Sequence, residues 1–153
     1  MKYQELKAWQ ESFELAIRVH RIFKNNKDFV FRDQIRRSAI SVPSNIAEGE
    51  ERETTKESVR FLYIAKGSCG ELVTQLLLAK EFGYFDDSEA SELIALATRV
   101  SRMIASLIKY RAGVVKDNRG TYLIEQDLEE QRVLEEQLAL EEQRALGPRK
   151  SRF

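Results

Sequence analysis

Apolar residues recur every three or four positions through most of the chain, and polar punctuation cuts that rhythm into four stretches. Leu6, Trp9, Phe13, Ala16/Ile17, His20 and Phe23 share one face of a first helix, from about Tyr3 to Lys24. A second, from about Phe31 to Glu48, carries Ile35, Ala39, Val42 and Ile46. Thr54-Thr-Lys-Glu57 has capping-box spacing, so a third helix begins near Thr55. Its seam is Leu62, Ala65, Cys69, Leu72, Leu76 and Ala79, and Gly83 suits a C-cap. Asp86-Asp-Ser-Glu89 repeats the start signal for a fourth helix, whose seam is Ala90, Leu93, Ala97, Val100, Ile104 and Leu107, widened by Ile94 and Ile108, ending near Gly113. Long helices joined by short loops pack antiparallel with their neighbours. The expectation is an all-α, up-down-up-down four-helix bundle over residues 1–115.

The stripes are wider than one core requires. Leu15, Val19 and Ile22 lie off the first seam, and Phe61, Ile64 and Val73 off the third. Surplus apolar surface on a small bundle marks an oligomer interface more often than a ligand groove, so self-association is expected. Small residues in Lys66-Gly-Ser-Cys-Gly70 suggest close helix approach; the stretch lacks the order of a phosphate-binding loop.

Residues 116–153 form a second region, a charged helical extension with a basic tail. Leu128-Glu-Glu-Gln, Leu134-Glu-Glu-Gln and Leu140-Glu-Glu-Gln repeat every six residues, and Leu146 continues the series. Six residues advance a helix by about 240°, so these leucines cannot form one coiled-coil seam. Two readings follow: a solvated helical tail, or a helix that docks a protein partner.

Formal net charge is zero across 153 residues, but it is uneven. Residues 1–120 hold 20 Lys/Arg against 17 Asp/Glu, a balance of +3, and 121–153 hold 5 against 8, a balance of −3. A dedicated nucleic-acid binder has a stronger basic excess, so any such binding must come from a local patch or an oligomer that concentrates one. No apolar run approaches membrane-spanning length, MKYQELKAWQ does not read as a signal peptide, and there is one cysteine, Cys69. A cytoplasmic protein without membrane association or disulfide is expected.

One histidine and one cysteine leave few catalytic options. The residue three before His20 is Ile17, so the Glu-x-x-His pairs of carboxylate-bridged metal bundles are absent. No enzyme signature, metal cluster or cofactor motif is present, and His20 and Cys69, both on apolar seams, read as core or interface residues. The acidic run Glu48, Glu50, Glu51 and Glu53 reads as solvent-facing charge at a helix end. The remaining chemistry is basic. Arg18, Arg21 and Lys24 are near neighbours on helix one, as are Arg32, Arg36 and Arg37 on helix two; Arg99 and Arg102 form a similar pair. These residues either pair with nearby acids and cover apolar surface, or contact phosphate.

Pro43 interrupts the second helix in Ile35-Arg-Arg-Ser-Ala-Ile-Ser-Val-Pro-Ser-Asn-Ile-Ala-Glu-Gly49. Proline removes its own N–H bond to the carbonyl of Ala39 and crowds that turn, so a bend is expected. Ser41, Ser44 and Asn45 can supply local bonds there, making Pro43, Ser44, Asn45 and Glu48 a structural hinge between the core and a subunit contact.

That stretch, together with Phe61-Leu-Tyr-Ile-Ala-Lys-Gly-Ser-Cys-Gly-Glu-Leu72 and Leu78-Ala-Lys-Glu-Phe-Gly-Tyr84, resembles the signature of the 23S rRNA intervening-sequence proteins, or four-helix bundle proteins. The resemblance covers roughly residues 3–115. It implies a homopentameric bundle without established enzymatic activity, associated with ribosomes or RNA. A related bundle, the accessory variability protein of diversity-generating retroelements, forms a pentameric barrel that binds nucleic acid and its reverse transcriptase. The resemblance therefore implies RNA or DNA as a partner, with an accessory role to a reverse transcriptase as the alternative.

Overall fold

The computed structural model describes residues 2–113, and the Leu-Glu-Glu-Gln extension lies outside the described residues. A single 3-10 turn, Tyr3–Glu5, leads into α1 (Lys7–Phe23), α2 (Phe29–Glu50), α3 (Thr55–Glu81) and α4 (Asp87–Arg111). Each helix packs on its chain neighbours, and α1 closes the ring against α4, so that α1 and α3, and α2 and α4, stand on the diagonals. This is the expected antiparallel bundle. Its helices start where local chemistry directs. Asp28 Oδ1 accepts from Phe31 N at 3.1 Å, Thr54 Oγ1 from Glu57 N at 3.3 Å, and Asp86 Oδ1 from Glu89 N at 2.8 Å, each satisfying an orphan amide of the first turn. Helix α3 stops at Gly83, whose φ of +73° suits glycine; Gly83 N donates to Lys80 O and Tyr84 N to Ala79 O, the paired bonds of a Schellman end.

The α3 seam is buried as its spacing predicts, and so are Ile35, Ala39, Val42 and Ile46 of α2. On α4, Ile108 rather than Leu107 completes the buried stripe. Helix α1 corrects the sequence expectation. Its buried face is Ala8, Ser12, Leu15, Val19 and Phe23, so Leu15 and Val19 are core, while Trp9, Phe13, Ile17 and His20 lie outside it. Ser12 survives burial because its hydroxyl donates to Trp9 O at 2.8 Å.

Both ends of the bundle are tied across helices. At one end Phe23 packs edge-on with Phe31 and Phe85, Phe31 does the same with Phe82 and Tyr84, and Tyr84 Oη donates to Asp28 Oδ2 at 2.6 Å. At the other, Arg111 grips Glu50 through two nitrogens, Nε at 3.0 Å and the terminal amino group. Glu50 is therefore not solvent-facing as expected: only 5% of its side chain is exposed, and its charge is balanced across the bundle. Near this end Gly49 lets α2 approach α3. A Cβ there would stand 3.0 Å from Ser58 O and 3.3 Å from Phe61 Cβ.

Candidate functional site

The basic residues of α1 and α2 have different fates once the helices pack. Arg18 turns toward α4 and pairs with Glu92 at 2.9 Å. Arg32 pairs with its neighbour Asp33 at 2.9 Å and lies over the Phe29 ring at 4.8 Å. Arg36 reaches across the interface and donates to His20 Nδ1 at 3.0 Å, which requires the proton of a neutral His20 to sit on Nε2. Arg21, Lys24 and Arg37 are exposed and make no ion pair among the described residues. Of the six cations expected from spacing, these three remain available to an external anion. Arg99, paired by spacing with Arg102, bonds to Glu11 of α1 at 2.6 Å.

Helix α2 is continuous across Pro43. Ser44 Oγ donates to Ile40 O at 2.8 Å, and Asn45 Nδ2 donates to Ser41 O and Oγ at 2.8 and 2.9 Å. Ser41 Oγ in turn meets Ser68 Oγ of α3 at 2.8 Å. The expected local bonds thus form, and one of them joins a cross-helix pair. Glu48 is exposed and pairs with Arg52 one turn on.

Between α1 and α2 lies an open groove of about 500 Å³, lined chiefly by Trp9, Phe13, Ile17, Ile40, Pro43 and Ala47. Trp9 and Phe13 stack with centroids 4.7 Å apart, and Tyr3 adds a third ring 5.5 Å from Trp9. Phe13 is 46% exposed and Ile40 55%. The sequence reading places these aromatics in the core. Their bulk outweighs Ala8 and Ser12 on the opposite stripe, and only the recurrence of Leu15 and Val19 signals the alternative.

A second apolar face runs along the outside of α3. Tyr63, Ile64, Leu77, Leu78 and Phe82 are exposed there, and Gly67 and Gly70 lie between them. Contrary to expectation, these glycines mediate no close approach among the described residues: a Cβ on either would meet none of them within 4 Å. A helix-interior glycine costs about 1 kcal/mol relative to alanine, and no contact among the described residues offsets it here.

Cys69 is fully buried between α3 and α4 and donates to Ala97 O at 3.2 Å; burial pushes its thiol up to about 11, the reverse of an activated nucleophile. No group of three His, Cys, Asp or Glu capable of holding a metal occurs among the described residues. No helix among them is long and apolar enough to cross a membrane.

Comparison with known proteins agrees with this architecture. A protein of unknown function from the S23 ribosomal protein family of Bacteroides thetaiotaomicron is similar in structure, with a TM-score of 0.64 and 26% identity. The similarity covers 67% of this chain and 98% of that one. A search of curated proteins gave no match. The family model for the 23S rRNA-intervening sequence protein matches residues 4–106, which span both the Pro43 stretch and the Gly67–Gly70 face, and the chain belongs to that family.

Proposed function

We propose that this chain is a non-enzymatic, self-assembling bundle, a homopentamer in the cytoplasm, that binds RNA or a ribonucleoprotein. The observation that carries this reading is the trio Arg21, Lys24 and Arg37, exposed and without acidic partners among the described residues. Each copy alone offers too little charge for firm binding, since overall charge is zero. A ring of copies multiplies that patch, and tethered sites on one polymer bind far more tightly than one. Arginine favours phosphate through its planar fork of donors. Gel shift of a structured RNA across a salt series tests the reading. A shift at low salt with steep salt dependence is expected, and replacing Arg21, Lys24 and Arg37 by Gln flattens the slope by roughly one for each phosphate no longer neutralised. No shift at low salt would falsify it.

A further inference from the structure

We infer that the outer face of α3 in one copy docks into the α1–α2 groove of the next, head to tail. This rests on the assembly half of the proposed function. Every chain carries both surfaces, and neither is covered by any of the described residues. One is a ridge of Phe13, Ile17 and Ile40 around a groove, and the other is a trough at Gly67 and Gly70 flanked by Tyr63, Ile64, Leu77 and Leu78. The two stand level. Ser41 meets Ser68, which fixes Ile40 and Pro43 at the height of the Gly67–Gly70 turn, and Phe13 and Ile17 line the groove at that same height. Rotation about an axis parallel to the bundle keeps that level, so the projecting ring of Phe13 meets the helix where side chains are missing.

Charge runs in complementary order along the two surfaces. Lys56 and Arg60 lie near the start of α3, and Glu71 and Glu81 lie further along it, all exposed. Glu48 and Glu51 lie at the end of α2 that adjoins the start of α3, just beyond Ala47 of the groove. With copies parallel, Lys56 and Arg60 of one copy face Glu48 and Glu51 of the next, whereas two α3 faces paired in parallel would set like against like. A head-to-tail contact of this kind closes into a ring when its rotation divides the circle.

The test mixes full-length chains carrying Phe13→Cys alone with chains carrying Gly67→Cys alone, under mild oxidation, with wild-type mass measured alongside by sedimentation. Cys69 is buried and does not compete. A disulfide-linked pair in the mixture, absent from either variant by itself, is the expected result. Gly67→Leu, which enters open space in the single chain, should keep its helicity and weaken assembly at least tenfold. Self-linking by Gly67→Cys alone overturns the inference in favour of symmetric α3 pairing. An assembled wild type with no cross-link in the mixture, or with Gly67→Leu unchanged in mass, overturns it while leaving assembly intact. Stacking quench of Trp9 fluorescence by RNA in the assembled protein also overturns it, because a filled groove has no room for a base. A wild type that stays a single chain at all concentrations overturns the inference and the assembly reading together.

Discussion

Tyr84 donates its hydroxyl proton to Asp28 across 2.6 Å, joining the turn after α3 to the first turn of α2. The bond holds the Asp28 carboxyl below its ordinary 3.8, with help from Phe31 N, and raises the Tyr84 phenol above its ordinary 10.0. A lowered carboxyl favours the folded state above its unfolded value, and that benefit fades as pH falls through the folded value. A raised phenol favours the folded state below its unfolded value, and fades as pH rises through the folded one. The stability difference between wild type and Tyr84→Phe should therefore be level in the neutral range and shrink at both extremes. Urea midpoints measured from pH 2 to 11 check this; a difference that ignores pH would remove the bond from the stability of the fold.

Gly49 and the pair Gly67 and Gly70 should respond oppositely to alanine. At Gly49 the new methyl meets a backbone carbonyl at 3.0 Å that cannot swing aside, and a loss of about 1–3 kcal/mol is expected. At Gly67 or Gly70 the methyl meets none of the described residues, and helix propensity should stabilise the dissociated chain by about 0.5–1 kcal/mol. Denaturant unfolding at a concentration where the protein is a single chain measures both.

Removing Arg111 leaves Glu50 buried with its charge uncompensated. Truncating one partner of a buried pair costs about 3–5 kcal/mol, and the partial exposure of Arg111 places Arg111→Ala at the lower end. Glu50→Gln with Arg111→Ala should recover part of that loss, because the stranded charge is gone. A double variant no better than the single one argues that Arg111 acts through packing alone.

Cys69 should resist thiol reagents in the native protein. A thiol held up near 11 carries very little thiolate at neutral pH, and its sulfur is enclosed by α3 and α4. Labelling should proceed at the rate of unfolding and accelerate with denaturant. Fast labelling of folded protein would show that α3 and α4 separate locally.

Pro43→Ala restores the backbone hydrogen bond from residue 43 N–H to Ala39 O within α2 and strips a ring from the groove wall. Helical content should hold, while assembled mass changes. Unchanged mass together with unchanged stability would assign Pro43 no part in assembly.

Much of this molecule was legible in the residues, for a physical reason that also marks the limit. On α3 every seam position from Leu62 to Ala79 belongs to one stripe, so spacing alone identified the buried face. On α1 two apolar stripes compete, and the bulkier one, with Trp9 and Phe13, proved to be the outer one. Periodicity reports that a helix is amphipathic; which of two stripes turns inward depends on neighbours distant in sequence. The same holds for the cations. Spacing groups Arg18 with Arg21, but only packing brings Glu92 to Arg18 and leaves Arg21 unclaimed. The glycines of α3 were visible as small residues, yet their openness among the described residues could emerge only once the four helices were packed.

The grip of Arg111 on Glu50, with Tyr3 and Ala47 lining the same groove, gives the bundle a polarity. Its first and last described turns share one pole, where the chain enters and leaves. The opposite pole consists of two short reversals, and Lys24, Lys27 and Arg32 crown one of them. Among the described residues that pole is built by loops between consecutive helices, so a substitution there changes its surface without touching either described end of the bundle.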